Sequence, residues 1–235
     1  MSLRRLMVMS VMVLTMTQGA WAGAFDDLNA AQQGFVLKGG ELMVRRPSTE
    51  GPWPAFHAYL VVNSTPEEAA AVFTDFNHQE EYFKSVVDSQ VVAQKSNVFQ
   101  IRYTLNLPIS DVLPGMNIQE KTLVEDVVKY QSSTGTYRVD WNLKEGDYTD
   151  KSIGSATFEP LSTGGTLVVY RSFIVPKPLP SFLFWVNLKD EKYVAKTEAA
   201  VKETVVELKT QIMKEVKTQR GLLDSQISNL KGIIQ

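Results

Sequence analysis

Phe56-His57-Ala58-Tyr59-Leu60-Val61-Val62-Asn63-Ser64-Thr65-Pro66-Glu67-Glu68 passes from a strand pattern to a helix start without a linker. From Ala55 to Val62 the side chains alternate. Phe56, Ala58, Leu60 and Val62 share one face, and Ala55, His57, Tyr59 and Val61 share the other. Both faces are largely apolar, which predicts a strand covered on both sides. Thr65 then stands where its hydroxyl can cap free amides. Pro66 suits a first helical position, and Glu68 completes a capping box three residues on. Ala69, Val72, Phe73 and Phe76 give that helix one apolar stripe, and a second short helix is expected over His78–Phe83.

Downstream, six extended segments follow: 86–94, 98–107, 117–131, 137–144, 152–159 and 166–175. Between them lie turn clusters such as Lys95-Ser96-Asn97, Glu145-Gly146-Asp147 and Ser162-Thr163-Gly164-Gly165, as in an antiparallel meander. Phe99, Ile101, Tyr103 and Leu105 oppose Gln100, Arg102 and Thr104. Tyr137, Val139, Trp141 and Leu143 oppose Arg138, Asp140 and Asn142. A sheet with one dry and one wet face is therefore expected. Asp190 to Gln219 reads as the longest helix, with Val194, Val201, Val205, Leu208, Ile212 and Val216 at helical spacing and Gly221 as its cap. Residues 220–235 then form a short amphipathic tail with Leu223, Ile227, Leu230 and Ile234 on one side. Upstream, a helix is expected over Phe25–Gln33 and an extended stretch over Phe35–Arg46, turning at Gly39-Gly40.

Residues 1–22 read as an address. Arg4 and Arg5 precede an apolar core, and Ala20-Trp21-Ala22 places small residues for cleavage near Ala22. The core is shorter than the roughly 20 residues of a membrane span. Export to the periplasm is the expectation. Across all 235 residues the net charge is -2, with no cysteine and two histidines, His57 and His78. That removes disulfides, thiolate metal sites and cysteine nucleophiles, and leaves no basic surplus for nucleic acid. The two histidines have no evident third partner for zinc. The sequence carries no G-x-S-x-G, G-x-G-x-x-G or P-loop, and Glu67-Glu68 and Glu80-Glu81 read as solvated faces. No cofactor and no metal are expected.

The order of elements resembles the START-like (SRPBCC) superfamily. Gly39 to Arg46 is similar to a first START strand, and Phe56–Glu68 to the second strand entering its helix. Ala71-Val72-Phe73-Thr74-Asp75-Phe76 is similar to the helix that ends in an aspartate. Tyr82-Phe83 stands where members often carry an aromatic pair, and 86–92 resembles the next strand. The likeness spans residues 34–217 within a domain drawn over 23–219. It implies an α+β helix-grip fold, a curved antiparallel sheet around a long C-terminal helix, with a deep apolar cavity between them. It also implies a lipid or other hydrophobic small molecule as ligand, for transport or sequestration. A cyclase- or hydrolase-like enzyme and a protein-interaction module are the alternatives.

On that frame Tyr103, Leu105, Tyr137, Trp141, Phe158 and Phe173 stand at dry-face strand positions as cavity candidates, with Val201, Val205 and Leu208 from the helix. Plain core packing is the competing reading for each. Arg171 shares parity with Leu167, Val169 and Phe173, so it reads either as a buried guanidinium that holds a polar ligand group or as a structural ion pair. The other face of that strand, Val168, Tyr170 and Ile174, is also apolar and leaves the parity open. Two apolar, proline-bounded loops, with Leu113 and Met116 in one and Phe182, Phe184 and Trp185 in the other, are expected to gate the cavity. They could touch a membrane transiently, or fold back onto the core. The protein is expected to be a monomer.

Overall fold

The computed structural model describes residues 24–48, 53–107, 118–178 and 191–234. In chain order it contains α1 (Ala30–Leu37), β1 (Leu42–Arg46), β2 (Ala55–Val62), α2 (Pro66–Phe73), β3 (Val86–Lys95) and β4 (Val98–Asn106). Then come β5 (Gln119–Gln131), β6 (Thr136–Gly146), β7 (Thr149–Pro160), β8 (Thr166–Pro176), α3 (Glu191–Thr218) and α4 (Arg220–Ile234). The strands form one antiparallel sheet in the order β1-β2-β8-β7-β6-β5-β4-β3. Strands β3 to β8 are a meander, and β8 closes onto β2. The link from β2 to β3, which holds α2, therefore spans the whole sheet.

The cap expected at the start of α2 is present. Glu68 donates its backbone N–H to Thr65 Oγ1 at 3.2 Å, and Thr65 N–H donates to Glu68 Oε2 at 2.8 Å. Ala69, Ala70, Ala71 and Val72 are buried, as is Phe76 in the 3-10 turn that follows. Helix α3 lies across the concave face of the sheet and is tied at both flanks. Arg45 of β1 pairs with Glu191 and Glu198, and Lys209 meets Glu41 at 3.0 Å. On the other flank Lys84, just before β3, pairs with Glu203 and Glu207 at 2.9 and 3.2 Å. Exposed pairs of this kind are screened by water and contribute little. The buried stripe Val201, Val205, Leu208 and Ile212 holds the helix in place.

Four local expectations are corrected. The first helix covers Ala30–Leu37 rather than Phe25–Gln33, because Asn29 and Gln32 form a capping box that starts it later. It turns out through Gly39, at φ 89, so the extended stretch begins at Leu42 rather than Phe35. The short helix after α2 is a 3-10 segment over Phe76–Glu81. Gly221 does not cap the long helix, since the break falls at Gln219 and Gly221 lies in the first turn of α4.

Residues 220–234 are helical, and their apolar side is covered. Leu223 and Leu230 are fully buried against α2 and its surroundings, at roughly 2 kcal/mol each. Polar ties hold the same contact. Arg220 donates to Glu68 at 2.5 Å, Gln226 Nε2 to Asp75 Oδ2 at 2.9 Å, and Lys231 meets Glu67 at 3.3 Å.

Candidate ligand-binding cavity

Helix α3 changes character along its length. Val205, Leu208 and Ile212 are large enough to mesh with Leu60, Phe73, Phe158 and Val168, which fills one end of the space beneath the helix. One to two turns earlier the inward positions are Thr197, Ala200, Val201 and Thr204, at spacings of three, one and three. Val201 packs toward Phe56 and Tyr170 at one border, and beside it the short side chains of Thr197, Ala200 and Thr204 leave space open between helix and sheet. The result is a cavity of about 300 Å³, enough for roughly ten waters or a compact apolar molecule. Across from α3 the wall is largely apolar: Phe76, Phe83, Leu105, Val124, Trp141 and Leu143. Trp141 lies over Gly154, where a Cβ would come within 2.2 Å of the indole. Gly154 thus lets the ring lie against the sheet instead of projecting into the space. The ring also stacks on Tyr170, with centroids 4.9 Å apart.

A few polar groups break this apolar surface, and they differ in how they are satisfied. Glu120 accepts from the backbone N–H groups of Tyr148 and Thr149 at 2.9 and 2.7 Å and from Thr149 Oγ1 at 2.8 Å, so its carboxylate clamps the β6–β7 turn. Tyr103 donates to Gln79 Oε1 at 2.9 Å, and Gln79 donates in turn to the Phe73 carbonyl at 2.8 Å. Asp126 has no such partner. It stands on β5 in register between Phe99 and Trp141, is 4% exposed, and makes no side-chain hydrogen bond or ion pair within the described chain. Burial pushes its carboxyl up to about 8, so the neutral acid is the main form at pH 7. The Thr122 hydroxyl, four residues back on the same face, is likewise buried and unpartnered among the described residues. Burial, followed by the neighbouring Asp126, raises the Tyr170 phenol, which also has no hydrogen-bond partner among the described residues. Among the described residues no Lys, Arg or His lines the cavity. No group of three or more His, Asp or Glu side chains there could hold a metal ion.

The family model for "Polyketide cyclase / dehydrase and lipid transport" matches residues 56–212, from β2 into α3. The chain belongs to this family. Its fold is that of solved START-superfamily structures. A STAR-related lipid transfer protein from Xanthomonas axonopodis superposes with TM-score 0.59 at 13% identity, over 74% of this chain and 94% of that one. A protein of Thermus thermophilus gives TM-score 0.54 at 20% identity, over 68% and 97%. Zhui aromatase/cyclase from a Streptomyces species gives 0.54 at 10% identity, over 70% and 96%. No curated protein sequence matches the chain. At these identities the structural likeness establishes the helix-grip fold.

Within the family fold, Tyr103, Leu105, Trp141 and Val201 line the cavity. Six other sequence candidates stand elsewhere. Tyr137, Phe158, Val205 and Leu208 do face inward, but they belong to the packed end, where Phe158 meets Phe73 at 5.8 Å between centroids. Tyr137 there donates to Glu67 Oε1 at 3.1 Å. Arg171 and Phe173 lie on the opposite face of β8, because Tyr170 and Ser172 take the inward positions. Arg171 pairs with Asp27 at 3.1 Å, beside His57, so it is a structural ion pair. The N-terminal segment explains the ambiguity of this strand. Leu28 and Val36 cover Tyr59, Leu167 and Val169 on the outer face, which makes both faces apolar. Leu113, Met116, Phe182, Phe184 and Trp185 lie outside the described residues.

Sequence reasoning missed Asp126, Thr122, Glu120 and Tyr170. The signal was present in β5, where Glu120, Thr122, Val124, Asp126 and Val128 share parity. The break between β4 and β5 is too long to carry the register from one strand to the next. Only the pairing of Tyr103 with Thr122 and Phe99 with Asp126 shows that this parity is the inward one.

Proposed function

We propose that this chain is an exported carrier that holds one lipid or other hydrophobic molecule in the space between α3 and the sheet. One observation carries the reading: an apolar cavity of about 300 Å³ persists because α3 presents Thr197, Ala200, Val201 and Thr204 where the next turns present Val205, Leu208 and Ile212. Holding the ligand needs no chemistry. Each buried methylene contributes about 0.8 kcal/mol, so an alkyl chain filling the cavity is retained by burial alone. Solved structures of the same fold that are named for lipid transfer support this reading. Export rests on the leader-like pattern of residues 1–22.

A second reading, a cyclase-like enzyme, draws on the buried acid Asp126 inside the same cavity. The two separate on what leaves the protein. Full-length protein produced with its first 22 residues is purified from the periplasmic fraction, examined by native mass spectrometry and extracted with organic solvent. A carrier shows a 1:1 apolar adduct that is recovered unchanged after incubation, and an N-terminus at Gly23. Retention in the cytoplasm with residues 1–22 intact overturns the export part. A bound species that is converted on incubation favours the enzyme.

A further inference from the structure

We propose that Asp126, with the Tyr170 phenol, forms a hydrogen-bonding subsite for an uncharged oxygen head, a hydroxyl or carbonyl, on the hydrophobic ligand, and that this subsite excludes anionic heads. The inference rests on the carrier reading and deepens it. Asp126 and the neighbouring Tyr170 are large polar side chains in the cavity without a side-chain hydrogen-bond partner within the described chain, whereas Glu120, Tyr103 and Gln79 are engaged. Buried polar groups are rarely left unpaired, because each costs roughly 1–3 kcal/mol. A ligand oxygen placed between them removes that cost for both at once. A protonated carboxyl can donate to it, and a phenol can donate or accept.

The charge environment sets the selectivity. The cavity around Asp126 is lined by Tyr103 from β4, Trp141 from β6 and Tyr170 from β8, and farther along β5 by Thr122 and Glu120, with Tyr148 and Thr149 at the β6–β7 turn. Gln79 comes from the 3-10 segment, and α3 supplies Thr197, Ala200, Val201 and Thr204. The only charges these groups can carry near neutrality are negative. A carboxylate or phosphate head would enter a dry space with no cation to meet it. Burial holds Asp126 protonated up to about pH 8, so the donor is present at neutral pH and is lost above it.

The test uses a ten-carbon series that differs only in its head: decan-1-ol, decanoate, decyl phosphate, decylammonium and decane. Binding to the full chain is read at pH 6 and pH 9.5 by displacement of an environment-sensitive fluorophore from the cavity. Wild type should bind decan-1-ol at least tenfold tighter than decanoate or decyl phosphate at pH 6, and lose about that factor for decan-1-ol at pH 9.5. Asp126→Asn, which keeps shape and hydrogen bonding, should retain decan-1-ol binding without the pH dependence. Asp126→Leu should weaken decan-1-ol about tenfold and leave decane unchanged. The inference is overturned, with the carrier reading intact, if Asp126→Leu binds every probe as wild type does. It is equally overturned if decylammonium binds best and tightens as pH rises, since Asp126 would then act as an anion. If no probe displaces the fluorophore, the carrier reading fails and this subsite with it.

Discussion

The two ends of the space under α3 are built from the same sheet and the same helix, yet they are opposites. At the packed end, Phe73, Phe158, Leu208 and Ile212 close on one another, with every side chain at or below 7% exposure. At the cavity end the helix carries smaller residues, Trp141 lies along the sheet over Gly154, and the carboxyl of Asp126 is buried without a partner among the described residues. The first arrangement maximises contact and stability. The second leaves contacts unmade and a polar group unsatisfied, which is stability forgone for a site that something else can complete. The contrast locates function in this fold more directly than any single residue does.

The comparison can be broken by deletion at each end. Phe158→Ala should cost roughly 3–5 kcal/mol, since it opens a void in close-packed surroundings. Trp141→Ala should cost roughly half that or less, because the indole already borders empty space. Urea denaturation of both variants checks the difference, and equal losses would mean the two ends are packed alike. Gly154→Ala places a Cβ 2.2 Å from the Trp141 ring and from the Arg171 backbone carbonyl, so the ring must move and the β7–β8 backbones must part. A loss of about 3 kcal/mol or more is expected, together with a change in Trp fluorescence.

Asp126 and His57 sharpen the same contrast through pH. The folded-state value for Asp126 is raised to about 8 from 3.8, so its unfavourable contribution is absent below pH 3.8 and grows as pH rises toward 8. Asp126→Asn should therefore leave stability nearly unchanged at pH 3.5 and add several kcal/mol, up to about 5, at pH 8, as read by thermal unfolding at both pH values. His57 lies on the outer face. Burial first, then Arg171 and Arg46, lower it from 6.5 to about 4. Its cost therefore appears as pH falls from 6.5 toward 4, the opposite slope. His57→Gln should gain about 1 kcal/mol at pH 4.5, a figure reduced for the screening that partial exposure allows, and nothing at pH 8.

Most of the fold was legible because it rests on local patterns. Alternation placed β2, β4 and β6 on their correct faces, and the Thr65–Glu68 cap positioned α2. The cavity was less legible, for two physical reasons. Parity in β8 is undecidable when α1 and its preceding turn cover the outer face with apolar residues. Inward direction also does not distinguish filling from lining. Tyr137, Phe158, Val205 and Leu208 point inward as read, but what they meet depends on how close α3 comes. That distance depends on the sizes of residues such as Ala200 and Ile212. Asp126 escaped notice because its strand reads as mixed polar until the register of β4 and β5 is known.

The central claim is that the space beside Ala200 is occupied by an apolar ligand in the working protein. Native mass spectrometry of wild type and Ala200→Phe, purified identically from the same envelope fraction, tests it most directly. The phenyl ring takes up part of the cavity and leaves the packed end unchanged. Wild type should carry a single apolar adduct, and Ala200→Phe should carry much less of it, with equal or higher thermal stability. Equal adduct occupancy on both proteins, or an adduct on neither, would contradict the claim.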